Sequence, residues 1–212
     1  MRLVMFGPQG AGKGTQSARI AEKYGIPSIA TGDIFRWAIK GGTSLGGKVK
    51  QYVEAGNLVP DELTIETVRE RLTADDCEEG FLLDGFPRSV PQAEALDEIL
   101  AEKDRALDAA LVLQVPEEVS LRRLTGRRVC SNCGRNYSLD SPPEKNWTCD
   151  VCGGPVTPRA DDEDEEAIRA RLRSYHDTTE PLKVYYGEKG ILREVDGTQS
   201  PDDVFSSIVS AL

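Results

Sequence analysis

The sequence predicts an α/β fold with a five-stranded parallel sheet flanked by helices. Short β-type runs recur at Leu3 to Phe6, Ile26 to Ala30, Phe81 to Leu83, Ala110 to Val115 and Ile191 to Val195. Helix-length segments separate these runs, and strands alternating with helices imply crossover connections on a parallel sheet. All the connections are short except one, Val129 to about Pro158, where Gly, Pro, Asn, Ser and Cys dominate.

The elements follow in chain order. After the first run, Gly7 to Thr15 opens a helix predicted over Lys13 to Tyr24, and further helices are predicted over Asp61 to Leu72, Pro91 to Lys103 and Glu117 to Thr125. A last helix starts at Ser200-Pro201, where Ser caps and Pro takes the first helical position. Thr31 to Val59 is rich in Gly yet helical in its spacing, so it reads as a small helical flap between two sheet strands. The chain thus divides into a core of residues 1–29, 60–125 and 165–212, a flap of 30–59 and an insertion of 126–164. Gly32, Gly56, Gly126 and Gly134 are candidate pivots.

Composition narrows the function. At 212 residues the chain suffices for one domain with a real core. Thirty-six acidic against 26 basic residues give a net charge of −10, which argues against nucleic acid or anionic lipid as a partner. Any anionic ligand must meet a local basic site. No run of eighteen apolar residues occurs, and Met1 to Phe6 leads straight into the glycine loop. Neither a membrane span nor a signal peptide is expected, and the expected location is the cytoplasm. No exposed apolar stripe calls for a second copy, so a monomer is expected.

Gly7-Pro8-Gln9-Gly10-Ala11-Gly12-Lys13-Gly14-Thr15 lies between a strand and a helix, the setting of a Walker A phosphate loop. Its glycines let backbone N–H groups point inward, the helix start adds a positive dipole, and Lys13 supplies a full charge. The general pattern has Ser or Thr directly after the lysine, whereas here Gly14 intervenes and the hydroxyl comes at Thr15. Asp84, ending the run Phe81 to Leu83, is placed to hold Mg²⁺ or its water shell. An ordinary strand-end turn former is the bland alternative for it.

Four of the five cysteines lie within residues 130–152. Cys130-Ser131-Asn132-Cys133 and Cys149-Asp150-Val151-Cys152 form two CxxC knuckles, each followed by a glycine, Gly134 and Gly153. Two facing knuckles complete a tetrahedral four-sulfur shell, with zinc the favoured ion and iron the alternative. With no open coordination position, such a metal is structural. A pair of disulfides is the competing reading. Cys77 reads as an inert small apolar residue.

Gly12-Lys13-Gly14-Thr15, Thr31-Gly32-Asp33 with Arg36, and Asp84-Gly85-Phe86-Pro87-Arg88 with Gln92 together resemble the long-lid adenylate kinases, and the likeness extends to Val195-Asp196-Gly197-Thr198. The resemblance implies a P-loop NTPase fold, an AMP-binding flap, a zinc-bearing lid, and reversible phosphoryl transfer from Mg·ATP to AMP giving two ADP. By that resemblance Gly10, Ala11, Gly12, Lys13, Gly14, Thr15, Arg127, Asn136, Tyr137 and Gln199 meet ATP. Thr31, Arg36, Asn57, Leu58, Val59, Gly85, Phe86, Pro87, Arg88, Gln92, Arg159 and Arg171 surround AMP, with Arg36 and Arg88 on its phosphate and Gln92 on the adenine edge. Asn57 stands where the family frequently has lysine.

The same resemblance makes Lys13, Arg88, Arg123, Arg127, Arg159, Arg171 and Asp84 the catalytic set. The chemistry agrees, because transfer between two polyanions needs cations on both, and Arg clamps phosphate bidentately while staying charged. Arg122, Arg128 and Arg169 read as solvated charges. The stretch Asp161 to Glu166 is one residue longer than usual, so choosing Arg171 over Arg169 leans on the Arg-Leu pair with Leu172. The stretch itself reads as a solvated helix start, and His176 as a packing residue. No general base is needed, since the attacking phosphate oxygen is already ionised. Another nucleoside monophosphate kinase, for GMP or UMP, is the close rival; a zinc-ribbon nucleic-acid-binding P-loop protein is the distant one.

Overall fold

The computed structural model describes every residue except 56, 160, 161 and 163. The pivot expected at Gly56, and Asp161 and Glu163 of the acidic stretch, lie outside the described residues.

Strands β1 (Arg2–Phe6), β2 (Ser28–Ala30), β3 (Phe81–Asp84), β4 (Ala109–Gln114) and β8 (Leu192–Asp196) form one parallel sheet in the order β2-β3-β1-β4-β8. Both faces are covered, which is why these strands read as continuous apolar runs. Alternate residues of β1 show it: Val4 and Phe6 join Leu83, Val112, Leu96 and Tyr186 on one face. Leu3 and Met5 join Leu82, Leu111, Ile20 and Ile208 on the other.

The predicted helices over Lys13–Tyr24 (α1), Glu117–Thr125 (α6) and from Pro201 (α9, Pro201–Ala211) occur with those limits. Ser200 caps α9 by accepting from the Asp203 N–H at 3.2 Å. Helix α4 spans Asp61–Arg71, and α5 spans Val90–Ala101, with Ser89 as its cap at Gln92 N. A return segment of α7 (Glu165–Ser174), a π-turn over Tyr175–Thr179 and α8 (Leu182–Glu188) brings the chain back to β8.

The excursion after β2 folds as α2 (Thr31–Lys40) and α3 (Ser44–Glu54), packed around Phe35, Val49 and Val59. The long insertion contains a three-stranded antiparallel sheet, β6 (Asn136–Ser138), β5 (Arg127–Cys130) and β7 (Val156–Pro158), in the order β6-β5-β7. Sequence periodicity gave no sign of it, because strands of three or four residues hold too few alternations to register. Its core is small: Cys130, Cys149 and Val156, with Tyr137 packed against them. Among the described residues no helix is long and apolar enough to cross a membrane.

Candidate active site

The glycine loop leaves β1 at Gly7, whose φ of 145° brings its backbone against β4; a Cβ there would stand 2.4 Å from the Leu113 carbonyl oxygen. The loop then enters α1 through Gly12 at φ 96°. Lys13 bends back over the loop, donating from Nζ to the Gly7 carbonyl at 2.8 Å and the Pro8 carbonyl at 2.9 Å. Burial lowers its pKa to about 8; Asp84 opposes the shift, while Arg88, Arg127 and Arg159 add to it.

Asp84 ends β3 and faces the same space. A Cβ on Gly14 would lie 3.8 Å from its Oδ2, which places the carboxylate beside the start of α1. Burial raises its pKa, against the pull of Lys13, a hydrogen bond from Ser17 and the charge of Arg88. A carboxylate held in this way suits a hard cation, which would offset the cost of desolvation. Thr15 is exposed in the first turn of α1.

Arg88 follows the turn Gly85-Phe86-Pro87. Its Nε donates to the Gly85 carbonyl at 2.7 Å, and a Cβ on Gly85, at φ 71°, would approach its Nη2 to 3.1 Å. Burial lowers its pKa, with Asp84 opposing and Arg36, Arg159 and Arg171 contributing like-charge repulsion. Thr31, also buried, donates to the same Gly85 carbonyl at 3.3 Å, and Arg36 pairs with Asp33. Gln92 is buried, with its amide oxygen taking the Arg88 N–H at 2.8 Å and its amide nitrogen donating to Asp61 at 2.6 Å. Val59 is buried, Leu58 half-buried and Asn57 exposed.

The insertion lies over the loop. Asn136 Nδ2 is 3.7 Å from where a Gly14 Cβ would be. Arg123 donates to the Gly197 carbonyl at 2.8 Å and reaches the Gly10 carbonyl at 3.5 Å. Gln199 sits on the exposed loop after β8, 3.4 Å from Asp196.

Tyr137 also reaches the cysteines. Residues 136 and 137 alternate across β6, so with Asn136 toward the loop the Tyr137 ring points to the cysteines. Its hydroxyl donates to Cys149 Sγ at 3.3 Å and accepts from Asp150 N at 2.9 Å. The hydroxyl of a side chain expected near the nucleotide thus bonds to the knuckle.

The acidic stretch also contributes more than a solvated helix start. Asp162 is 7% exposed, and its two oxygens accept from Arg127 Nε and Arg171 Nη2, each at 2.5 Å. Arg171 is buried, whereas Arg169 is exposed on Glu165 and Glu117, so α7 turns Arg171 and not Arg169 toward the site. Sequence reasoning missed Asp162 because one acid among many gives no local signal. His176, expected to pack, is half exposed and pairs with Glu180 at 2.8 Å.

The four knuckle sulfurs lie within 4.8 Å of one another, with Cys130–Cys152 at 3.4 Å and Cys133–Cys149 at 3.6 Å. A disulfide requires about 2.05 Å. A tetrahedral shell of four sulfurs at about 2.3 Å from a metal requires roughly 3.8 Å between sulfurs, so the cluster has the size of a metal shell. The cysteines are unbridged. The Tyr137 hydroxyl lowers the Cys149 pKa to about 6. At Cys152 the Gly154 amide favours the thiolate, yet Cys133 and Cys130 push the thiol up to about 12. Four sulfurs this close ionise together only around a cation.

Comparison with known proteins decides the family. The adenylate kinase family profile matches residues 5–191. The chain belongs to the adenylate kinase family. It is 54% identical over 209 residues to an adenylate kinase of Geobacillus sp. (strain WCH70), covering 98% of this chain and 96% of that one. It is 52% identical over 213 residues to the adenylate kinase of Archaeoglobus fulgidus and 53% to that of Thermodesulfovibrio yellowstonii, spanning 100% of this chain and 98% and 99% of theirs. As a member, it is a phosphotransferase of the nucleoside monophosphate kinase class.

Proposed function

We propose that this chain transfers the terminal phosphoryl group of Mg·ATP to AMP, giving two ADP, as a cytoplasmic monomer. The observation that carries this reading is the convergence of Lys13 and Arg88 with Arg127 and Arg159 of the insertion beside Asp84, the insertion being seated on the glycine loop. ATP takes the Gly10–Thr15 side, with Arg123, Arg127, Asn136 and the segment at Gln199. AMP takes the side of Thr31, Arg36, Asn57 to Val59, Gly85 to Arg88 and Gln92, with Arg159 and Arg171 between the two. Residues 30–59 act as the AMP flap, 126–164 as the lid, and the rest as the core.

The attacking phosphate oxygen is already ionised, so the chain's part is alignment, charge neutralisation and exclusion of water. Lys13 and the arginines offset charge on the transferring group as the lid and flap shut. Asp84 would hold Mg²⁺, directly or through its waters, and that ion supplies further charge neutralisation on the ATP phosphates. Cys130, Cys133, Cys149 and Cys152 hold one structural Zn²⁺ that takes no part in the chemistry.

The test is a panel of AMP, GMP, UMP and CMP with Mg·ATP, beside a metal determination on the purified protein. AMP should be preferred strongly, with one zinc per chain. Preference for another acceptor overturns the substrate assignment, and iron or no metal overturns the zinc.

A further inference from the structure

We propose that Asp61, a residue outside the substrate contacts, is the positioning residue that sets which purine Gln92 accepts. The inference rests on the reading of Gln92 as the base contact in the proposed function.

A glutamine amide presents an oxygen acceptor and a nitrogen donor, and turning it by half a revolution exchanges them. Here both ends are chemically committed. The oxygen faces the Arg88 backbone N–H, which can only donate, at 2.8 Å. The nitrogen faces the Asp61 carboxylate, an acceptor when ionised, at 2.6 Å. The turned amide would set donor against donor at Arg88 and acceptor against acceptor at Asp61. Gln92 is 2% exposed, so water could not relieve either conflict.

Asp61 is itself fixed. It opens α4, and its second oxygen accepts from Ser89 Oγ at 2.8 Å, while that same Oγ caps α5 at the Gln92 N–H, 3.3 Å away. The carboxylate therefore joins the start of α4, which follows the flap, to the start of α5, which carries Gln92.

After these two bonds the Gln92 amide retains one lone pair and one N–H. That pair complements a base edge offering an amino donor beside a ring-nitrogen acceptor, as adenine does. A 6-oxopurine offers the reverse, a carbonyl acceptor beside a ring N–H donor, and would need the turned amide. Asp61 thus acts against 6-oxopurines without touching them.

The experiment measures kcat/KM for AMP and for inosine monophosphate, whose base has the 6-oxo edge without guanine's extra amino group. In Asp61→Asn the new amide can accept from Ser89 with its oxygen and donate to the turned Gln92 oxygen, which removes the conflict at residue 61 and leaves only the one at the Arg88 N–H. The AMP-to-IMP ratio should fall on the order of tenfold, chiefly through KM. Asp61→Ala removes the anchor but offers no donor, so it should lower the ratio less than Asn while lowering the melting temperature more. That inverted ranking is one a purely structural role does not produce.

Gln92→Leu separates the two readings. A ratio that collapses in Gln92→Leu yet stays within twofold of the parent in Asp61→Asn overturns the role of Asp61 alone. A ratio unchanged in Gln92→Leu overturns the base contact beneath it. A ratio lowered as much by Asp61→Ala as by Asp61→Asn reduces Asp61 to support for α4 and overturns the proposal.

Discussion

Asp162→Asn tests how the insertion is held over the glycine loop. The carboxylate side chain is 3% exposed, and the two arginines that share it, Arg127 and Arg171, are 21% and 9% exposed. An asparagine of the same shape keeps one acceptor but turns an NH₂ toward the other guanidinium. Losing one charge-assisted bond and gaining a donor facing a donor costs about 3 kcal/mol at this burial. The core need not bear that cost, because Asp162 and Arg127 belong to the insertion and Arg171 to the core, so the insertion can lift away and return Arg171 to water. The loss then appears as a shift of about 150-fold in the balance between seated and lifted insertion. Calorimetry with a dinucleoside pentaphosphate spanning both sites should show affinity lowered by roughly 10²-fold, while melting of the core moves little. Affinity within twofold of the parent would refute the reasoning. Tighter binding would refute it too, by showing that Asp162 competes with phosphate for the arginines.

Three further outcomes follow from the site. A Lys13 pKa near 8 means the free enzyme loses this cation as pH rises, so kcat/KM for Mg·ATP should fall above pH 8 toward tenfold per unit, and Lys13→Arg should remove that limb; a profile flat to pH 9.5 contradicts the assignment. Arg88→Ala should lower kcat by about 10²-fold or more and weaken AMP more than ATP, as initial-rate kinetics would show, whereas equal weakening of both with a lower melting temperature would mark Arg88 as structural. Cys149→Ser should lose about one equivalent of bound zinc and melt earlier yet retain phosphoryl transfer at low temperature, and total inactivity in a demonstrably folded variant would give the metal a chemical role.

What the sequence revealed follows the range over which each feature is encoded. The glycine loop, the strand ends and α1, α6 and α9 were legible because caps, periodicity and glycines act within a few residues. The knuckles were legible for the same reason. The sheet of the insertion was not, because its strands are held by pairing across up to 30 residues, such as Arg128 with Pro158, and by the contacts of its cysteines. Asp162 and Asp61 were missed for a like reason. Asp61 finds its partners 28 and 31 residues away, and Asp162 reaches Arg127 across 35. The bond of the Tyr137 hydroxyl to Cys149 was not legible either, because resemblance marks a position without saying which face of β6 the side chain takes.

The electrostatics of the site link its shape to its motion. Lys13 and Arg88 belong to the sheet side of the cleft, whereas Arg127 comes from β5 and Arg159 follows β7. Seating the insertion therefore brings like charges together, and burial lowers the affinity of Lys13 and Arg88 for their protons. Asp84 and Asp162 offset part of that repulsion, in a chain that is otherwise acidic. A polyphosphate spanning the cleft adds several negative charges where the cations converge, and so favours the seated state over the lifted one. Under the proposed function, closure is then tied to both nucleotides being present, which would keep water from the phosphoryl group when the acceptor is missing. An element that swings against such forces must keep its own shape. The core of the insertion consists of two cysteines and a valine with Tyr137 against them, too little apolar burial for that task, and the structural metal proposed for the four sulfurs would supply the cross-link.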